Sequence, residues 1–503
     1  MKKVLIALMS VALLGGMSSC NKWLDVDADT RVGETVMFAN SSGMRIALNG
    51  IYNSLGEPAL YGQELTWALA SCLGRDYPEN KQSQNYRYMI YENEWYENYS
   101  RKVIDPVWKK AYNTLANINN LLQAVEKTEP SFFEWGQLER NMFLAELRGL
   151  RALIHFDMLR LFAPAPINDD GKTYIPYVEK YPDHQPKKLT VNETMDKIEA
   201  DLLYASALLV DIDTSSTETD TNVGPYGIYA GAARFGSSYV SSVNKGQWFA
   251  LRGTRMNYLA TTALLARLYM WKGDKQKIFE PLHYIRYKKW YSLTSTNSWT
   301  TNSTSPKLHY DFLMAAYNTD LEETHKKLSK PSTTAYFQYD KTNFNNLYSS
   351  DPDDYRGKLM NTESNDTRSL RWIWPTGTTS TITNLRKDVM PLAPIIKLSE
   401  VYLMMMEALA DTDLSAAITM MEQFRAKRGA KRKLNADMTK EEFLNALELE
   451  YVRDFQSEGQ TFFYYKRLNK PVYQGEGKDR FDYSKTKGCW VLQQPLEEDS
   501  YSL

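Results

Sequence analysis

The chain has 503 residues, enough to bury a substantial core, and 60 basic against 61 acidic side chains leave a formal net charge of -1. So balanced a composition argues against a nucleic-acid binder, which needs a basic face to displace counterions. Beyond the first twenty positions no run of about 20 apolar residues occurs, so nothing else in the sequence reads as a membrane span.

The chain opens as an address. Met1-Lys2-Lys3 is basic, Val4 to Leu14 is apolar but too short to span a bilayer, and Met17-Ser18-Ser19 precedes Cys20. Small residues before a cysteine fit a bacterial lipoprotein box, which makes 1–19 a signal peptide and Cys20 the lipidated residue. Positions 20–40 read as a flexible tether. Asp25, Asp27 and Asp29 have the spacing that opens an EF-hand, but Thr30 and Val36 stand where its glycine and glutamate belong, so calcium is rejected.

Helical periodicity starts at Ser41 to Ser54, with Met44, Leu48 and Ile51 on one side. Residues 72–99 form a long polar stretch crowded with aromatics, read as a loop. Val103 to Val125 is helical and carries Asn113, Asn117, Asn119 and Asn120, suited to bonding backbone in a helix hairpin. Phe143 to Phe162 is the strongest helix, with Phe143, Leu147, Leu150, Ile154, Met158 and Leu161 in one sector and Arg148 and His155 off it. Pro164 and Pro166 stop it.

Val191 to Leu209 follows, with Thr190 and Glu193 in capping-box positions. Residues 211–246 are a Ser, Thr, Asp, Asn and Gly excursion. Arg255 to Lys272 ends at Gly273-Asp274, Ile278 to Trp290 is its expected partner, and 291–386 reads as irregular. Ile395 to Ala410 and Leu414 to Arg428 form a matched hairpin, and Lys440 to Gln456 is the last strong helix. Small alanines among large residues let neighbouring helices approach closely. The pattern predicts a mainly α fold, either of unrelated core helices or of tetratricopeptide-like helix pairs, since no clean 34-residue register joins the copies.

Aromatics make up 13% of the chain, and many lie in polar sequence that no helical stripe claims. Flat rings suit the C–H faces of sugars, while amides and charges bond hydroxyls. The candidate platform is Tyr77, Tyr86, Trp95, Trp299 and Trp372, with Arg75, Asp76 and Asn80 as polar partners. For each ring, packing inside a loop is the competing explanation. Cys72 and Cys489 could pair or stay free, since separation in sequence does not fix distance. The five histidines form no His-Glu-x-x-His pair, and no Gly-x-Ser-x-Gly elbow or Walker loop occurs; Gly475-Glu476-Gly477-Lys478 lacks the required spacing. No cofactor, metal or catalytic residue is expected. An α-helical glycosidase stays open as an alternative, because two carboxylates suffice for that chemistry.

Several segments in order resemble the SusD/RagB outer-membrane lipoproteins. They are the lipobox with Leu24-Asp25, Leu48-Asn49-Gly50-Ile51-Tyr52, Ala145 to Ala152 followed by Phe162 and Pro166, and Ala263 to Tyr269 with Gly273-Asp274. Ile396 to Leu403, Phe424 to Gly429 and Glu450 to Gly459 through Lys466-Arg467 complete the series. Gln460 replaces a customary basic residue, and Val491 to Pro495 replaces a Pro-Ile-Pro. The resemblance implies a tetratricopeptide-like helix-pair scaffold with a loop-rich ligand-binding region over 41–503, within which composition marks the excursions at about 72–99, 211–246 and 291–386. It implies a non-catalytic protein at the outer membrane, facing the exterior, that captures oligosaccharide for a SusC-like TonB-dependent transporter. A peptide-capturing member of the same uptake system is the alternative.

Overall fold

A computed structural model describes residues 33–90, 98–214, 234–235, 247–288, 293–294, 306–329, 336–362, 366–373, 386–486, 488 and 490–500. Cys20 and the leader lie outside them. The chain divides into two compact units, Met1–Ala47 and Leu48–Leu503. In the described part of the first, a one-turn helix occupies Glu34–Met37, within the stretch expected as a tether. The Asn40 side chain there accepts from the Gly43 amide at 2.9 Å, at the start of helix α1, Ser41–Leu55.

The second unit contains a stack of helices, α2 (Asn98–Lys127), α3 (Gly136–Phe162), α4 (Val191–Thr214) and α5 (Tyr258–Lys272), each packed on the next. The local signals explain the boundaries. Thr190 and Glu193 form the reciprocal cap of α4, with Thr190 N donating to Glu193 Oε2 at 2.9 Å and Glu193 N to Thr190 Oγ1 at 3.2 Å. Gly273 ends α5 at φ 88°, and Asp274 N reaches back to the Tyr269 carbonyl at 2.9 Å.

Helices α6 (Lys341–Tyr348), α7 (Leu398–Leu409), α8 (Leu414–Lys427), α9 (Lys440–Phe455) and α10 (Gln460–Leu468) follow. Helix α7 packs on α5, α8 and α9, and α9 on α10. Two short antiparallel pairs complete the frame, β1 (Thr173–Pro176) with β2 (Lys188–Thr190) and β3 (Phe312–Tyr317) with β4 (Leu392–Lys397). The mainly helical class expected from periodicity is the one observed.

Three expectations are corrected. Helix α3 has neighbours around its circumference, so it is buried nearly all round, and His155 lies fully buried instead of off the core. Its ring stacks on Tyr177 at 3.9 Å, and both nitrogens are satisfied, by the Arg151 carbonyl and the Val178 amide. The stretch 72–99 is not one long loop, since it contains the turn Glu79–Lys81 and the helix Gln84–Ile90. Region 291–386 likewise holds β3, a helix at Leu321–Ser329 and α6.

Charges inside the stack are paired. Arg252, fully buried, binds Glu146 and Asp213, and Glu146 also holds Arg255. Arg151 grips Asp201 with two nitrogens at 2.6 and 2.7 Å, and bonds Asn119 Oδ1 at 3.1 Å. Asn119 in turn donates to the Val178 carbonyl at 2.9 Å, the backbone-satisfying role its asparagine-rich run predicts.

Candidate functional site

Residues 74–79 leave the helix Leu69–Leu73 through a turn in which Arg75 adopts φ 63°. That conformation is uncommon for a residue with a Cβ, and it is held by contacts on both sides. The Arg75 guanidinium lies 3.5 Å from the centroid of the Phe481 ring and 5.5 Å from that of Tyr483. Asp76 Oδ2 accepts from the Ser457 amide at 2.8 Å, and Ser457 is itself left-handed at φ 56°. Burial pushes the Asp76 carboxyl up to about 7, with the Ser457 bond opposing the rise. Tyr77 stacks on Tyr339 (5.7 Å between centroids, 23° between planes) and donates to the Trp67 carbonyl at 3.0 Å.

This turn is one wall of a cavity of about 170 Å³ lined, among others, by Asp76, Tyr77, Tyr339, Asn343, Tyr473 and Lys478. The start of α6 is the second wall. Asp340 caps that helix by accepting from Asn343 N at 3.0 Å, which holds its carboxyl below the usual range. Loop 473–478 is the third. Asn343 Nδ2 donates to the Gln474 carbonyl at 3.2 Å, and Lys478 Nζ lies 3.5 Å from Asp340 Oδ2. Gly475, at φ 130°, is required here, because a Cβ would stand 2.7 Å from the Asn343 side chain. Val452 and Gln456, at the end of α9, line the same space. The walls offer carboxylate, amide and ammonium groups beside the half-buried ring of Tyr473, a set that suits hydroxyl-rich ligands.

The structure therefore brings together three of the sequence candidates, Arg75, Asp76 and Tyr77, at one cavity. Asn80 is exposed on the next turn, outside the lining. Tyr86 and Trp372 are corrected as open stacking rings. Tyr86 is buried and donates to Glu64 Oε1 at 2.8 Å, and Trp372 is 1% exposed with its Nε1 donating to the Ser457 carbonyl at 2.8 Å. Tyr77 lines the cavity, yet its face is covered by Tyr339, so it too is a wall and not an open platform. Each polar tip finds a partner inside, which allows the ring to be buried. Trp95 and Trp299 lie outside the described residues.

Asn343, Tyr473 and Lys478 escaped sequence reasoning. The signal near them was the pair Gly475 and Gly477, both at positive φ, which marks a loop held against something. Among the described residues no group of three or more His, Cys, Asp or Glu gathers as a metal site, and no helix is long and apolar enough to cross a membrane. Cys72 is buried and free, its thiol donating to Gln82 Oε1 at 2.7 Å, while Cys489 is outside the described residues.

Residues 22–236 match the SusD-like family model described as starch-binding and associating with the outer membrane. A SusD-like protein of Formosa agariphila is 25% identical over 169 residues, a match spanning 33% of this chain and 31% of the relative. The chain thus aligns with about a third of that relative's length. The fold is shared much more widely. A SusD superfamily protein of Bacteroides thetaiotaomicron superposes with a TM-score of 0.63 at 19% identity, covering 92% of this chain and 98% of its own. A SusD-like carbohydrate binding protein of Bacteroides vulgatus gives 0.66 at 16%, covering 92% and 96%. The fold of these SusD superfamily structures therefore runs through nine-tenths of the chain, and the SusD-like family model matches its N-terminal part, residues 22–236.

Proposed function

We propose that this is a non-catalytic glycan-capture lipoprotein of the outer membrane, delivering oligosaccharide to a SusC-like TonB-dependent transporter. The carrying observation is the cavity at Asp76, Tyr77, Asn343 and Tyr473, on a fold shared with a carbohydrate binding protein. A tyrosine ring beside amides and carboxylates is a combination that stacks on a pyranose and bonds its hydroxyls. Cys20 is the proposed anchor, with 1–19 removed, 20–40 as tether and 41–503 as the binding domain. Anchoring beside the barrel raises the effective concentration of captured ligand at its mouth, so modest intrinsic affinity suffices.

The test is calorimetry of the mature protein against a panel of polysaccharides and peptides, with analysis of the recovered cargo. Saturable glycan binding with the cargo intact is the expected result. Binding of peptides alone would replace glycan by peptide capture, and shortened glycan would overturn the non-catalytic reading. Affinity purification from outer membranes should bring down a large barrel, and its absence would remove the delivery role. A Cys20→Ala change should release the protein from the membrane fraction.

A further inference from the structure

We infer that the cavity takes a single neutral sugar residue, a chain end or a branch, and not a run of polymer. This rests on the glycan reading above and narrows it.

Size is the first argument. The cavity offers about 170 Å³, room for one sugar ring and not for a run of rings. It falls below the roughly 300–1,000 Å³ of clefts that enclose a drug-sized ligand.

The second argument is that the walls are tied together. Residues 472–481 form a hairpin closed by Val472 N to Phe481 O at 2.7 Å and Phe481 N to Val472 O at 3.0 Å. Phe481 lies under Arg75 of the first wall, and Gln474 and Lys478 are fastened to Asn343 and Asp340 of the second. Gly475 packs its backbone directly against the Asn343 side chain, where a Cβ would stand 2.7 Å away. A cavity cross-tied on both sides cannot widen into a groove without breaking these contacts, and preorganisation of this kind favours one small occupant.

Charge decides the class. Asp76, Glu79 and Asp340 line the space with Lys478, which pairs with Asp340, while the Arg75 guanidinium is engaged by aromatic rings. With Lys478 paired to Asp340 and Glu79 to Arg87 at 3.0 Å, the lining gathers no cluster of cations of the kind a uronate or sulfated residue needs, which favours a neutral one.

The experiment is calorimetry of the intact mature protein with malto-, cello-, xylo-, manno- and galacto-oligosaccharides of two to seven residues, and with oligogalacturonates. In at least one neutral series, affinity should change less than about threefold from the shortest to the longest member, whereas a groove adding stacked residues would gain about two- to tenfold per residue. Tyr473→Ala should weaken that binding at least about tenfold with melting unchanged. Releasing the hairpin by Asn343→Ala with Lys478→Ala should make affinity rise with chain length. Steady gain with length in the native protein, or preference for oligogalacturonate, would overturn this inference and leave glycan capture standing. Failure of every series to bind would overturn both.

Discussion

Asp76 and Ser457 are 381 residues apart in sequence, and the Ser457 amide donates to the Asp76 carboxylate at 2.8 Å. Asp76 follows Arg75 at positive φ, and Ser457 is itself at positive φ. Ser457 also links inward, its Oγ bonding Ser369 at 2.9 Å and accepting from Tyr339 at 2.9 Å. The cavity wall is therefore fixed by the turn that joins α9 to α10, and that turn is fixed by the core beneath it.

This bond carries a pH dependence. Burial raises the folded pKa of Asp76 from 3.8 to about 7, so the folded state binds its proton more tightly than the unfolded chain does. Its stabilising contribution is complete below the unfolded value and is lost as pH rises through about 7. An Asp76→Asn change keeps an oxygen for the Ser457 amide and removes the buried charge. Its Tm should therefore exceed the native value at pH 8 and approach it at pH 5. Equal Tm offsets at both pH values, measured by thermal scans, would show that Asp76 does not titrate in this range.

Gly459, two residues on, is at φ 78°, and a Cβ there would meet Ala70 Cβ at 2.7 Å and the Thr66 carbonyl at 2.8 Å. Alanine adds both a disfavoured conformation and a clash with backbone that cannot step aside. Gly459→Ala should cost about 1–3 kcal/mol or more in denaturant unfolding. A Gly171→Ala change, also at positive φ (75°) but with open space around the Cβ, should cost less. Equal losses at the two sites would mean that conformation, and not packing, sets the cost.

These contacts show what the sequence could and could not display. Helix periods, the Thr190–Glu193 cap and the Gly273 turn are local, so they were legible, as was the density of polar and aromatic groups at Arg75, Asp76 and Tyr77. The far walls were not, because Tyr473 and Asn343 join them only through contacts between distant segments. Trp372 was misread for a physical reason. A tryptophan in polar sequence resembles an exposed platform until its indole N–H is seen bonded to Ser457. On α3, His155 lies off the apolar sector yet is buried, and Glu146, Arg151 and Asp157 are buried with it, held by partners that periodicity cannot reveal.

Arg252 should be among the costliest charged residues to remove. It is fully buried between Glu146 and Asp213, and it also donates to the Met256 carbonyl at 2.8 Å. Truncation strands two carboxylates in the core, so Arg252→Ala should lose about 3–5 kcal/mol by urea unfolding. Glu146 keeps Arg255 as a second partner, so Asp213 is left with the greater deficit. Adding Asp213→Asn to Arg252→Ala should recover part of the loss, and a double variant no more stable than the single one would contradict this assignment.

His155 supplies the opposite pH response to Asp76. Burial lowers its pKa from 6.5 to about 3, and the neighbouring Arg151 charge adds to that. Its Nε2 accepts from the Val178 amide at 3.0 Å, so that nitrogen carries no proton, and Nδ1–H donates to the Arg151 carbonyl at 2.9 Å. Protonation would break the first bond and place a cation in the core. With a folded pKa below the unfolded one, its stabilising effect is complete above 6.5 and is lost as pH falls through about 3. Glu450, held at about 2 by Arg356, Arg453 and Arg425, extends the same loss from 4.5 downward. The two together should outweigh the gain from Asp76, so Tm falls as pH drops from 6.5 towards 3. The His155 ring resonances followed by NMR should stay in the neutral form throughout that range while the protein is folded. A midpoint near 6.5 in the folded protein would mean that the ring reaches water and that the Val178 contact is not maintained.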